Sequence, residues 1–131
     1  MNICLVGLGN HGLGRVLPAI LKSKSKLIAT VSSKRKISDK NYNIKNFKNL
    51  SLAISSLSNK TIFVLTTPPQ IHEKQIIILI KKGYSVIVEK PAFLSEKYYY
   101  KFLKLKIDNN FDFENFMYKE TKIYKKFFKI F

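Results

Sequence analysis

The stretch that decides the fold is NICLVGLGNHG, residues 2–12. A short apolar run stops at a glycine and a helical pattern begins at about residue 12, so the order is strand, tight turn, helix. Gly7, Gly9 and Gly12 have the G-x-G-x-x-G spacing of a turn that binds the pyrophosphate of a dinucleotide. Gly7 lets the chain turn, Gly9 leaves room for the pyrophosphate, and Gly12 lets helix and strand pack closely. The alternative is a glycine turn that binds nothing.

The rest of the chain alternates between strand and helix patterns. Strands are predicted at 2–6, 26–31, 43–47, 61–66, 84–89 and 111–117, and helices at 12–23, 50–57, 70–83, 95–106 and 121–130. Pro18 should bend the first helix, Asn49 or Ser51 should cap the second, and Gly83 should end the third. Because the strands are apolar on both faces, we expect an α/β fold with a doubly wound, Rossmann-type parallel sheet. The predicted strand order is 3-2-1-4-5-6, in one domain of residues 1–131.

The end of the second strand bears on which dinucleotide would bind. In this fold a carboxylate about 20 residues beyond the glycines takes the ribose 2′-hydroxyl of NAD. The sequence has Ser32, Ser33, Lys34 and Arg35 there instead, and hydroxyls with positive charge suit the 2′-phosphate of NADP. We therefore expect NADP or NAD as the cofactor, with NADP preferred. The alternative is that these cations only reflect the composition of the chain.

The composition is strongly basic, with a formal net charge of +16. Such a charge invites nucleic-acid or anionic-membrane binding. Nearly all of the 24 basic residues are lysines, however, and the chain is equally rich in Ile, Asn, Phe and Tyr, as AT-rich codons produce. Specific readers of nucleic acid rely on arginine, and no apolar run is long enough for a membrane span. We expect neither partner, and keep a basic nucleic-acid binder as an alternative.

Other classes of site and location leave little signal. Cys4 is the single cysteine, so an internal disulfide is excluded, and its place in a strand favours a core role. The N-terminus does not have the pattern of a signal peptide, which predicts a cytoplasmic protein. The Cys, His and carboxylate residues show no metal-ligand spacing, so no metal is expected.

The stretch TIFVLTTPPQIHEKQIIILIKKGYSVIVEKP, residues 61–91, carries the most specific signal. Together with VGLGNHG and the later FMYKETKIYKKF, it resembles the family of glucose-fructose oxidoreductase, inositol dehydrogenase and rhizopine-catabolism proteins (Gfo/Idh/MocA). The positions that match the family pattern are Thr67, Pro68, His72, Gly83, Glu89, Lys90 and Pro91. The resemblance implies hydride transfer between NAD(P) and a small sugar, cyclitol or similar hydroxy or carbonyl substrate.

The resemblance also implies roles for individual residues. Lys90 would lie beside the nicotinamide and the reacting carbon as the catalytic residue, and the peptide bond of Pro91 is often cis in the family. This agrees with the sheet, because open parallel sheets bind ligands beyond the carboxyl ends of their strands. Glu89 would contact the cofactor ribose or orient Lys90. His72 either packs near the cofactor or satisfies a hydrogen bond at the start of its helix. The remaining candidates for cofactor contact, from the turn and the end of the fourth strand, are Asn10, His11 and Thr66.

The sequence departs from the family pattern in three respects. The acid after the second strand is absent, and Lys119 and Lys122 stand where the family tends to have arginine and proline. The family also continues into a second domain that supplies a catalytic Asp and His pair, the substrate pocket and the oligomer interface. We therefore expect a truncated, catalytically incomplete cofactor domain whose uncovered apolar surface favours self-association. A cofactor-sensing module or a non-catalytic remnant is the alternative.

Overall fold

The computed structural model describes residues 1–38, 43–105 and the backbone of residues 112–115. A six-stranded parallel sheet has the order β3-β2-β1-β4-β5-β6, which confirms the predicted topology. The strands are β1 (Asn2–Val6), β2 (Lys26–Val31), β3 (Lys45–Phe47), β4 (Thr61–Leu65), β5 (Ser85–Glu89) and β6 (Asp112–Asn115). The helices are a π-helical segment (Gly12–Val16) that continues into α1 (Leu17–Lys22), then α2 (Leu50–Ser56), α3 (Pro69–Lys81) and α4 (Glu96–Leu103). The predicted helix at 121–130 lies outside the described residues, as do Lys119 and Lys122.

Alternating side chains of the central strands enter two separate cores. In β1, Cys4 and Val6 face the core that also contains residues of α2 and α3. Ile3 and Leu5 face the opposite core, where Ile20 of α1 packs. Both faces of the strand are therefore buried against helices, which is why β1 is an uninterrupted apolar run rather than an alternating one.

Proline disturbs the first helix more than a simple bend would. The N–H of Leu17 bonds to the oxygen of Gly12, five residues back, and Pro18 follows in the first turn of α1. Proline has no N–H to bond to the residue four positions earlier, so a regular α-helical ladder cannot pass through this point. The wider π-helical turn before Pro18 accommodates that break, as π-turns commonly do within helices. The sequence predicted the position of the irregularity but not its form.

The predicted cap at the start of α2 and the predicted glycine at the end of α3 are both found. Asn49 is the N-cap of α2, and its Oδ1 accepts a 3.0 Å hydrogen bond from the N–H of Leu52, so Asn49 rather than Ser51 is the cap. Gly83 follows α3 with a φ of +78°, a conformation that glycine adopts without strain. β4 pairs with β1, and β5 with β4, in parallel register, so the carboxyl ends of these three strands lie side by side.

Candidate functional site

The candidate site lies at the carboxyl edge of the sheet, where the loops after β1, β4 and β5 meet. β1 is the first strand in sequence and sits between β2 and β4, so the order of the strands reverses there. Loops at such a reversal diverge toward opposite faces of the sheet and leave a crevice between them. The glycine turn, Thr66 to Pro68 and Glu89 to Pro91 all belong to this edge.

The three glycines of the turn do different work. Gly7 has a φ of +95°, its N–H bonds to the oxygen of Val31 at 2.9 Å, and a Cβ on it would lie 2.9 Å from the nitrogen of Thr67. A Cβ on Gly12 would collide with the oxygen of Gly7 and lie 2.7 Å from the Oγ1 of Thr66. A Cβ on Gly9 would meet nothing within 4 Å. Gly7 and Gly12 therefore permit close packing, whereas the space beside Gly9 is open.

Thr66 binds the end of β4 to this turn. Its Oγ1 lies 2.6 Å from the oxygen of Gly7 and donates to it, and its N–H donates to the oxygen of Val6 at 2.8 Å. Thr67 turns the other way, and its Oγ1 donates to the Oε1 of Gln75 in α3 at 2.7 Å. Pro68 then precedes the first turn of α3. The two threonines thus hold the β4 loop between the glycine turn and α3.

The segment after β2 brings a cation against the same turn. The Oγ of Ser32 accepts hydrogen bonds from the N–H groups of Lys34 and Arg35, at 3.3 and 3.1 Å. This local turn directs the Arg35 guanidinium back to the glycine loop, where its Nη1 donates to the oxygen of Leu8 at 3.1 Å. Ser33, Lys34 and Arg35 are all exposed. Of the residues predicted to contact a 2′-phosphate, Arg35 therefore lies against the glycine turn.

A close contact between two side chains connects the glycine turn to the end of β5. His11 Nε2 lies 3.0 Å from Glu89 Oε1, with the two side chains 40% and 16% exposed. Asn10 precedes His11 at the exposed start of the first helix. Lys90 follows Glu89 and is exposed, and its peptide bond to Pro91 is cis, as the resemblance led us to expect. The predicted catalytic lysine thus lies directly next to a residue that touches the glycine turn.

His72 is in the first turn of α3, and its ring is fully buried. Its Nδ1 lies 2.8 Å from the oxygen of Thr67, and its Nε2 lies 2.8 Å from the oxygen of Pro91. The ring therefore contacts the backbone of both loops and is not exposed to solvent. Neither of the two roles considered from the sequence included this bridge.

The sequence also left Glu73 unremarked, although it holds the loop that follows Lys90. Glu73 is 6% exposed, and its Oε2 accepts hydrogen bonds from the N–H groups of Leu94 and Ser95 at 3.1 and 3.2 Å. The chain has only eight acidic residues, so an acid on the apolar face of a helix was a signal that could have been noticed.

Metal sites, membrane spans and the single thiol bear on other classes of function. Among the described residues, no group of three or more His, Cys, Asp or Glu side chains is placed to hold a metal ion. None of the helices in that part of the chain combines the length and apolar character of a membrane span. Burial raises the pKa of the Cys4 thiol from 9.0 to about 12, and Cys4 is a core residue, as its place in β1 predicted.

A parallel sheet whose strand order reverses at β1, together with this glycine turn, defines a dinucleotide-binding α/β domain. Residues 1–104 match the model of the Gfo/Idh/MocA oxidoreductase family with an NAD-binding Rossmann fold, and the chain belongs to that family. No curated protein matches the chain.

Solved structures share the fold at low sequence identity. A myo-inositol 2-dehydrogenase from Lactobacillus plantarum is 20% identical with a TM-score of 0.83, and the match covers 99% of this chain and 40% of that one. A scyllo-inositol dehydrogenase from Lactobacillus casei with bound NAD(H) and scyllo-inositol has the same identity and coverage and a TM-score of 0.80. A 3-ketoreductase from Actinomadura kijaniata in complex with NADP and TDP-benzene is 16% identical with a TM-score of 0.83, covering 99% and 41%. The chain thus spans about 40% of the length of these proteins.

Proposed function

We propose that residues 1–131 form the NAD(P)-binding domain of an oxidoreductase that transfers a hydride to or from a sugar, cyclitol or similar small substrate. The observation that carries this proposal is the contrast among the three glycines. Gly7 and Gly12 have no room for a side chain, while Gly9 faces open space directly before a helix N-terminus. Backbone amides and the helix dipole at such a terminus favour a pyrophosphate, so the residues present fit the cofactor.

Lys90 is the proposed catalytic residue. It leaves the end of β5 beyond the carboxyl edge, where a nicotinamide bound across β1 and β4 would extend. When bound, the nicotinamide supplies the hydride acceptor or donor. The Lys90 ammonium would donate a hydrogen bond to the substrate oxygen and stabilise the alkoxide charge that develops on it. Glu89, paired with His11, would set the direction in which Lys90 leaves the strand.

We propose that the domain prefers NADP, because of the residues that follow β2 in this chain. Similar folds have been solved with NAD(H) and with NADP, so the fold alone does not select. Here Ser32 directs Arg35 to the glycine turn, and one guanidinium N–H is used on Leu8. A guanidinium has five N–H donors, so donors remain for a phosphate at the ribose. No residue from Ser32 to Arg35 offers the carboxylate that would bind a 2′-hydroxyl.

Turnover needs more than this domain. The two inositol dehydrogenases and the 3-ketoreductase are about two and a half times as long as this chain, which supports a separate substrate domain. We propose that the chain alone binds cofactor but turns over little. Apolar side chains are exposed on or beside α4, and include Leu94, Tyr99, Tyr100 and Leu103. This surface favours contact with further protein, including a second copy of the chain, which sedimentation of the purified chain would measure.

A matched pair of substitutions tests the proposal. Gly9→Asp places a carboxylate in the proposed pyrophosphate space, and Gly14→Asp places the same group on the helix that follows, at an equally open position. NADPH fluorescence should show saturable binding by the original chain and by Gly14→Asp, and at least tenfold weaker binding by Gly9→Asp, because two anions would share one space. Equal binding by all three proteins, or none by the folded original chain, would refute the proposed function.

A further inference from the structure

The His72 ring joins two loops that come from different strands. Thr67 follows β4 and Pro91 follows β5, and each presents its backbone oxygen 2.8 Å from one ring nitrogen. The ring is fully buried, so bulk solvent does not reach it. A single side chain therefore fixes the separation of the two loops on either side of the crevice.

The two contacts place a requirement on the protons of the ring. A neutral imidazole has one N–H, so it can donate to one carbonyl but presents a lone pair to the other. Two electron-rich atoms 2.8 Å apart would repel, and a buried polar group without a bond is costly. The imidazolium has two N–H groups and donates to both oxygens. The geometry around His72 therefore fits the doubly protonated ring.

Glu73, the next residue of α3, binds the same loop through two backbone amides. Its Oε2 accepts two backbone N–H bonds, from Leu94 and Ser95, which fits an ionised carboxylate. A buried charge is tolerated when it is hydrogen-bonded, and each of these two side chains has two backbone partners. His72 and Glu73 are successive residues of α3, and both bind the segment that follows Lys90. His72 contacts the carbonyl oxygen of Pro91 at the start of this segment, and Glu73 accepts from the amides of Leu94 and Ser95 at its end.

We propose that His72, as the imidazolium, and Glu73, as the carboxylate, form a clamp on residues 91–95 and act as positioning residues for Lys90. Lys90 is bonded directly to the first clamped residue, so the clamp limits where its backbone can lie. The catalytic meaning rests on the function proposed above for Lys90. The clamp itself is a property of the folded chain and needs no cofactor.

Nitrogen NMR of the unmodified chain tests the proton count directly. The chain has only two histidines, so the ring signals of His11 and His72 can be assigned with a single His72→Gln variant. At neutral pH and without cofactor, His72 should show two protonated ring nitrogens with similar chemical shifts. One protonated and one bare nitrogen, with widely separated shifts, would overturn the imidazolium. The proton count itself is read on the unmodified chain.

Amide hydrogen exchange tests the clamp on the loop. Glu73→Met removes the acceptor, and in His72→Gln a single amide nitrogen replaces the two ring nitrogens, so exchange of the amides of Leu94 and Ser95 should accelerate at least tenfold. Lys74→Gln, a change at the next, exposed residue, is the control and should leave these rates unchanged. Amides of β1 should keep their rates in all variants, which separates local release from general destabilisation. Unchanged exchange at Leu94 and Ser95 in both variants would refute the clamp, whereas lost NADPH binding with an intact clamp would refute only the proposed function.

Discussion

The hydroxyl of Thr66 donates a 2.6 Å hydrogen bond to the carbonyl oxygen of Gly7, and so joins the loop after β4 to the turn after β1. The two residues are 59 positions apart in the sequence. Their contact makes the shape of the glycine turn depend on the neighbouring strand, and not only on the glycines themselves. It also places the hydroxyl of Thr66 so close to Gly12 that a side chain at Gly12 would have no room.

Replacing Thr66 by valine should weaken both the fold and cofactor binding. Valine keeps the shape but removes the donor, so unfolding in urea should show a loss of roughly 0.5–1.5 kcal/mol. Tyr84→Phe removes hydrogen bonds to the oxygens of Ile54 and Leu57 instead, at a comparable cost but away from the turn. If the turn is the cofactor site, only Thr66→Val should also weaken NADPH binding. Equal NADPH affinity in the two variants would argue against this dependence.

Gly12→Ala should destabilise the chain, because the new methyl group would collide with the oxygen of Gly7 and approach Thr66. Overpacking of this kind costs roughly 1–3 kcal/mol, so the melting temperature should fall clearly. Gly14→Ala is the matched control, since a Cβ there meets nothing within 4 Å. That change should be neutral or stabilising by up to about 1 kcal/mol, because alanine has less freedom to lose than glycine. A Gly12→Ala chain as stable as Gly14→Ala would contradict the close packing of helix and turn at Gly12.

How far the sequence predicts the structure can be judged from this turn. The spacing of Gly7, Gly9 and Gly12 and the alternation of strands and helices were enough to predict the sheet order, because local pattern and turn chemistry agree there. The bridge of His72 to Pro91 was not predictable, since it depends on how two loops meet in space. The same holds for the pair of His11 with Glu89. Contacts of this kind have no local sequence signal.

The basic segment after β2 should select between the two cofactors. Lys34→Ala with Arg35→Ala should weaken NADPH binding roughly tenfold to a hundredfold, since a hydrogen bond to a charged group contributes about 1.5–3 kcal/mol. NADH, which lacks the 2′-phosphate, should bind with nearly unchanged affinity. Lys81→Ala with Lys82→Ala removes the same charge at the far end of α3 and should leave the affinities for NADPH and NADH unchanged. Equal losses for NADPH and NADH would mean that the segment acts only through general charge.

The buried Cys4 thiol should make stability depend on alkaline pH. Its pKa is raised from 9.0 to about 12 by burial, so the unfolded chain loses this proton at a lower pH than the folded chain does. The stabilisation is therefore complete below pH 9 and falls, by about 1.4 kcal/mol per pH unit, as the pH rises from there toward 12. Comparison with Cys4→Ala by urea unfolding between about pH 8 and about pH 10.5 isolates this effect from the lysines and tyrosines. A constant difference between the two proteins across that range would contradict it.

The most direct test of the central claim is to locate bound NADPH on the isotopically labelled chain by NMR. We expect saturable shifts of the amide signals of Gly9, Asn10 and His11. The amide signal of Arg35 should also shift, and signals at the far end of α3 around Lys81 should change little. Shifts spread over the lysine-bearing surface and removed by moderate salt would instead indicate general attraction of a polyanion. That result, or no shift at the glycine turn at saturating NADPH, would contradict the claim that this turn binds the cofactor.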